Sequence, residues 1–288
     1  MKQNHRYYKS SGSFSPIGIA TTLGVGLLAT LVLSLVYGYA LAWIPFIYIN
    51  VFIILGYGFG VGMAVNFGGK FGKIRNYGVM LGLGFLIGLF AEYAGWVVWM
   101  YATSSQSVLI FNPGELFGAI QLLAEVGVWN LKGWTPTGAA LYIMWGIEAV
   151  TVIGMSTMMG ASGANDPYCE RCHTWVDQNE SLGPFSPELA SDFVHNLESE
   201  KYEALAGLVV CPPADLFVQA DLNHCPGCNQ LHLLTLKTIT LSLDKDGKTQ
   251  KSEQPISEHM LVTAEVHQAI RESASRTPEA QSETEPEA

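Results

Sequence analysis

Four stretches of this chain are apolar almost without interruption, roughly Ile17 to Trp43, Phe46 to Asn66, Tyr77 to Tyr101 and Thr137 to Gly160. Each reaches the ~20 residues that a helix needs to cross the hydrocarbon core of a bilayer. Lys2, Arg6 and Lys9 precede the first, as basic residues precede a secretion signal. Its apolar run is far longer than the ~7–15 residues of a signal core, and no clean small-x-small cleavage site follows, so it reads as a retained span.

The polar and small residues inside these spans fall on faces. Thr22, Gly26, Thr30, Ser34 and Gly38 recur every fourth residue in the first span, and Gly84, Gly88 and Glu92 do so in the third, with Gly95 on the same face. Small residues let helices approach closely, which predicts packing faces here rather than lipid faces. The second span carries glycine at 56, 58, 60 and 62, with Ala64 following. That spacing predicts neighbours on two sides, or else a helix loose enough to move in a transport cycle.

Two spans carry a carboxylate near mid-depth, Glu92 and Glu148, and no span supplies a Lys, Arg or His to pair with them. An ionised side chain at that depth costs roughly 3 kcal/mol on insertion scales. Thr30 and Ser34 fall at about the depth of Glu92, and Thr151 lies one turn from Glu148 on its face. The expectation is a buried polar cluster of Thr30, Ser34, Glu92, Glu148 and Thr151. A hydrogen-bonded pair that sets helix register and a proton or cation relay are both open readings of it.

The connections have their own patterns. Gly68 to Arg75 is a basic, glycine-rich loop suited to anionic lipid head groups. Between Thr103 and Pro136, Asn112 can cap a helix, Pro113 suits its first turn, and Glu115 favours its start. Leu116, Ile120, Leu123 and Gly127 then recur at helical spacing. This predicts an amphipathic helix near 112–128 on the outer membrane face, with Trp129 and Trp134 as interfacial anchors; a re-entrant segment is the alternative.

Beyond Gly160 the pattern becomes that of a water-soluble domain. A helix opens at Ser186-Pro187 with Leu189, Phe193, Val194 and Leu197 inward. Phe217 to Asn223 and Leu231 to Leu243 read as strands, Asp244 to Gly247 as a hairpin turn, and Thr263 as the cap of a last helix carrying Val266 and Ile270. Residues 1–14 read as a mobile polar tail and 272–288 as a disordered acidic one. The fold class expected is thus an α-helical integral membrane bundle of four spans over 15–162, followed by a small α+β domain over 163–271.

Charge orients the chain and narrows its partners. Before Gly163 four acids face seven Lys/Arg, a net of +3; from there on 21 acids face 8 bases, a net of −13. A tail so acidic repels a phosphate backbone, so no nucleic-acid partner is expected. With four spans both ends share a side, and that side holds six Lys/Arg against Lys132 alone on the other. The Lys/Arg bias places both termini in the cytoplasm, in a multi-pass protein of the cell (inner) membrane.

Two Cys-x-x-Cys pairs, Cys169/Cys172 and Cys225/Cys228, lie in that C-terminal part. In a reducing compartment paired cysteines serve as metal ligands more often than as disulfides. Zinc favours four tetrahedral ligands, and two such knuckles supply two thiolates each. Gly227 and Asn229 tolerate the left-handed backbone a knuckle turn calls for. Haem on Cys169-Glu170-Arg171-Cys172-His173, a thiol redox pair and an iron–sulfur cluster are the other readings. Cys211 reads as a buried small apolar residue; His173 and His224 flank the knuckles as reserve ligands or hydrogen-bond partners.

The two pairs and the strands around the second resemble a zinc ribbon. The resemblance covers only residues near 169–172 and 225–243, and the gap between the pairs exceeds the usual ~15–20 residues, with the helix from Pro187 as an insertion. It implies a closed structural Zn2+ site on Cys169, Cys172, Cys225 and Cys228. No catalytic residue is singled out, because H-E-x-x-H, G-x-S-x-G and paired intramembrane aspartates are all missing from the sequence. Two functions fit: a membrane tether for a zinc-stabilised cytoplasmic interaction domain, as a homo-oligomer or with a protein partner, or an oligomeric proton/cation channel, transporter or sensor using Glu92 and Glu148.

Overall fold

The structure is a computed structural model that describes residues 6–44, 46–129, 133, 135–177, 179–187, 190–199, 210–211, 214–245 and 248–275. The chain divides into two compact units, Ser10–Asn165 and a second made of Met1–Lys9 with Asp166–Ala288.

The first unit is helical: α1 (Pro16–Trp43), α2 (Ile47–Phe71), α3 (Tyr77–Thr103), α4 (Pro113–Val126) and α5 (Ala139–Ala161). Four helices, over Pro16–Trp43, Ile47–Phe71, Tyr77–Thr103 and Ala139–Asn165, are long and apolar enough to cross a membrane. Helix α1 packs against α2 and α3, and α5 packs against the same two. What α1 buries is its polar and small ladder: Thr22, Gly26, Thr30, Ser34 and Gly38 are all buried, with Gly18 and Tyr37. What it shows is aliphatic, Leu28 at 69% exposure and Val36 at 65%. A helix with this arrangement suits an apolar solvent, where close backbone approach rather than hydrophobic burial draws helices together.

The glycines are placed by the same logic. A Cβ at Gly62 would stand 2.7 Å from Met159 Cβ and 2.9 Å from the Met155 carbonyl oxygen on α5, and one at Gly84 would stand 2.9 Å from the Ser156 carbonyl oxygen. Ser156 also donates to the Gly84 carbonyl at 2.9 Å. Helix α2 runs on to Phe71, so Gly68 and Gly69 are helical rather than part of the expected loop. A Cβ on Gly68 would meet Thr22 Cα at 3.0 Å, which is why α1 can pass there.

Helix α4 begins as expected, with the Asn112 side chain accepting from the backbone N–H groups of Gly114 and Glu115. Its inner stripe, Leu116, Ile120 and Leu123, packs with Val97 and Met100 of α3, leaving Phe117, Leu122 and Val126 exposed. Trp129 packs beside Ala124, Leu141 and Trp145. Trp134 and Lys132 lie outside the described residues.

In the second unit β1 (Tyr168–Cys169) and β2 (Thr174–Trp175) form a short hairpin. Strands β3 (Asn179–Phe185), β4 (Leu216–His224), β5 (His232–Leu243) and β6 (Thr249–Val262) form an antiparallel sheet in that order. Helices α6 (Ala190–Glu198) and α7 (Ala264–Ser275) complete it. The core gathers Val218, Ala220 and Leu222 of β4, alternating as a half-buried strand does, with Leu234 and Leu236 of β5, Leu197 of α6 and Val266 and Ile270 of α7. Thr263 caps α7 through Val266 N–H at 3.3 Å, as its position suggests. Asp246 and Gly247 of the expected hairpin turn, Leu189, and residues 276–288 lie outside the described residues, as does the side chain of Phe193.

Three further features depart from the sequence reading. Strand β3 went unforeseen because Gly183-Pro184 breaks its pattern, and β6 because it is polar and contains Pro255; Pro sits on sheet edges or irregular pairings, and the register slips near Lys237–Pro255. Helix α7 continues to Ser275, past the expected boundary at 272. The chain from Arg6 to Tyr8 is not a loose tail. Leu261 N–H donates to the Arg6 carbonyl at 2.7 Å and Tyr8 N–H to the His259 carbonyl at 2.9 Å. Tyr7 O–H donates to Glu198 at 2.6 Å. These residues cover one end of β6, satisfying backbone groups that a sheet edge leaves open.

Candidate metal centre

Each cysteine pair sits on a tight turn that the strands hold in place. The first turn closes the β1–β2 hairpin, where Cys169 pairs with Thr174. The second joins β4 to β5, with Cys225 N–H donating to the Leu231 carbonyl at 2.9 Å and Asn229 N–H to the Cys225 carbonyl at 3.0 Å. In both turns the residue after the second cysteine is left-handed, His173 at φ 52° and Asn229 at φ 50°. Gly227 is not, contrary to the expectation for it. Its lack of a side chain serves space instead, since a Cβ there would stand 3.0 Å from Cys172 Sγ.

The turns bring all four sulfurs within 4.8 Å of one another. Cys169 Sγ and Cys228 Sγ are 3.6 Å apart, and all the cysteines are free thiols. Four thiolates around Zn2+ at a Zn–S distance of ~2.3 Å stand roughly 3.8 Å from each other, so the Cys169–Cys228 pair is within a few tenths of an ångström of that arrangement. Cys169 and Cys225 are buried, walled by Val176 and Leu231, while Cys172 and Cys228 are partly buried against them. The Arg171 guanidinium donates to the Gln230 side chain, tying one turn to the other.

The electrostatics of the thiols say what the cluster lacks by itself. Burial raises the Cys169 thiol, although the backbone N–H groups of Cys172 and Arg171 favour its thiolate. The neighbouring Cys228 thiol, with burial, pushes Cys172 up to about 12. Only Cys228 moves the other way, to about 7, chiefly through the backbone N–H of Gln230. The crowded thiols therefore do not ionise together: Cys228 forms its thiolate readily while Cys169 and Cys172 resist. A divalent cation among them reverses that balance, because thiolate is the ligating form. The residues present fit such an ion, and these four cysteines can hold one.

Cys211 stands apart, its N–H bonded to the Pro184 carbonyl at 2.9 Å. His224 stacks on His232 and meets His267 edge-on.

In the helical unit Glu148 accepts from the Tyr37 hydroxyl, and Glu92 accepts from Trp96 Nε1–H at 2.9 Å. Tyr37 stacks on Tyr57, ring centroids 4.2 Å apart, and Tyr57 O–H donates to the Ala91 carbonyl at 2.8 Å. Thr30 and Ser34 are buried, Ser34 donating to the Leu31 carbonyl at 3.0 Å. Thr151 donates to the carbonyl of Ile147 on its own helix at 2.7 Å. The partners Tyr37 and Trp96 were not foreseen. Their signals were present: Tyr37 lies three residues past Ser34 on the same face, and Trp96 four past Glu92, the spacing at which helical side chains meet.

Comparison with protein-family models, with curated proteins and with solved structures returns no match for this chain.

Proposed function

We propose that this chain is a multi-pass protein of the cell membrane, both termini cytoplasmic, whose sheet unit is an interaction domain folded around a structural Zn2+ on Cys169, Cys172, Cys225 and Cys228. The convergence of four sulfurs from two turns, Cys172 and Cys225 being far apart in sequence, is the observation that carries this reading. Four thiolates fill a tetrahedral zinc and leave no position for substrate, so the ion holds the fold rather than performing chemistry. Haem attachment through the first pair alone leaves the second pair's sulfurs without a role, and the shared cluster favours one ion. The two pairs and flanking strands keep their zinc-ribbon likeness, with β3 and α6 inserted between them.

The domain then acts as a tethered docking module, a regulatory or assembly component held at the membrane. The test has two arms. Full-length protein loaded with Co2+ is expected to show thiolate-to-cobalt charge transfer that Cys228→Ser abolishes; an unchanged spectrum overturns the centre. Thiol labelling from outside intact cells is expected to leave Cys169 and Cys228 unmodified; labelling there overturns the orientation and with it the tether.

The bonded carboxylates support a second reading, a proton or cation path through oligomers. Glu92→Gln and Glu148→Gln separate the two. Flux or phenotype lost at normal membrane abundance favours the path, whereas loss only on removing the sheet unit favours the tether.

A further inference from the structure

We propose that His224, His232 and His267 form a second cation site, taking a divalent transition metal that favours imidazole, such as Zn2+, beside and distinct from the four-thiol centre. His224 ends β4 and His232 opens β5, and the two are paired in register across the knuckle turn. His267 comes from α7. Ring centroids are 4.8 Å apart for His232 and His267, 5.5 Å for His224 and His267, and 6.3 Å for His224 and His232. Three imidazoles around one ion with Zn–N of ~2.1 Å and tetrahedral angles place their ring centroids roughly 5 Å apart. The pairs that include His267 are at this spacing, whereas His224 and His232 are wider apart with their rings near-parallel at 19°, so His224 must turn for all three to meet one ion.

The hydrogen bonding identifies the ligand atoms. His232 Nε2 lies 2.9 Å from the Asn229 carbonyl oxygen. A carbonyl only accepts, so Nε2 carries the hydrogen and Nδ1 presents a bare lone pair. That Nδ1 is buried and, among the described residues, has no hydrogen-bond partner; the same holds for His267 Nε2. The two residues are only 4% and 5% exposed, so water does not serve them freely. Two orphaned imidazole nitrogens in one cluster, neither bonded to the other, are costly as they stand, and a shared cation satisfies both. A backbone carbonyl holding the far nitrogen is the support that a metal-bound histidine commonly has. Here that carbonyl belongs to Asn229, next to Cys228, so the turn that presents one ion's sulfur also orients the other ion's imidazole. Three protein nitrogens leave a fourth position for water.

The experiment uses full-length protein in detergent, stripped of metal and titrated with Co2+. Two ions per chain are expected, one with intense thiolate charge transfer and one adding only weak bands. His267→Phe keeps a ring but cannot ligate, and it should lower uptake from two to one with the thiolate bands intact. His224→Ala, at a half-buried position, should do the same and serves if the Phe variant misfolds. Retention of two ions by the folded variants overturns the proposal, as does a single ion in the parent protein that is indifferent to both substitutions. A single ion without thiolate bands, lost on His267→Phe, upholds this site and overturns the four-thiol centre instead.

Discussion

The sheet unit and the helical unit bury acidic groups by opposite means. Asp221 on β4 is 3% exposed and meets a cation, Lys237 Nζ at 2.7 Å, with Ser181 and Gln219 donating to its other oxygen at 2.7 Å each. Among the described residues, Glu92 and Glu148 meet only neutral donors, Trp96 N–H and Tyr37 O–H. Apart from Lys70 near the end of α2, the four long helices contain no basic residue at all. One unit compensates charge with charge; the other solvates with dipoles. The four thiols would join the first kind of environment once the proposed cation lies among them.

The largest expected effect removes that cation. Structural zinc contributes on the order of 10 kcal/mol to folding in small domains. Cys228→Ser should therefore cost the sheet unit its metal and its protease resistance, while the helical unit still partitions to membranes. If the variant keeps full protease resistance, the sheet holds itself together by apolar packing and the contrast is lost. A smaller break targets the dipoles. Tyr37→Phe leaves Glu148 without its donor, expected to cost about 1–3 kcal/mol, and the Tyr37→Phe/Glu148→Leu pair should recover most of it, since removing both partners can be nearly neutral. Thermal unfolding in micelles reads both, and a silent Tyr37→Phe means that the carboxylate is solvated by something else.

Packing is what holds those dipoles in register, and glycine tests it at a comparable or smaller cost. Gly62→Ala pushes a methyl against Met159 and the Met155 carbonyl, an overpacking expected to cost about 1–3 kcal/mol. Gly24→Ala is the control, with nothing within 4 Å of its new Cβ; it should be neutral or slightly stabilising because alanine is the better helix former. Equal effects at the two sites in the thermal midpoint would mean that α2 and α5 do not depend on close approach.

Much of this was legible in the residues because local chemistry decides it. The spans follow from length and apolarity, the α1 ladder from four-residue spacing, the α4 start from Asn112 and Pro113, and the thiol cluster from two Cys-x-x-Cys turns. What escaped was decided by partners distant in sequence. Nothing local marks β3 or β6 as strands, since β6 is held by its pairing to β5 and by Arg6–Tyr8 at one end. The His224, His232 and His267 cluster is assembled by the β4–β5 register and the placement of α7, so only His224 could be singled out, for lying beside a cysteine. Conversely, Thr151 had the right phase to join Glu148 but bonds back to Ile147, as a helical threonine readily does.

The smallest expected effect sharpens the comparison at Asp221 itself. Burial alone raises its pKa, but Lys237 and the bonds from Gln219 and Ser181 outweigh that and hold it below the ordinary 3.8. The folded state thus binds this proton less tightly than the unfolded chain does. Its contribution is full above about pH 4 and fades as pH falls through the depressed value. Asp221→Asn should cost about 1.5 kcal/mol at neutral pH, the low end for hydrogen bonds to a charged group, because Lys237 keeps Glu253 at 3.5 Å. Acid also displaces metal from thiolates, but it does so in parent and variant alike, so the readout is their difference in thermal midpoint across pH 3–7. A gap that is wide at pH 7 and closes toward pH 3 is the signature of charge compensation. A gap independent of pH means that Asp221 matters only for its shape, and the two units then bury their acids in the same way.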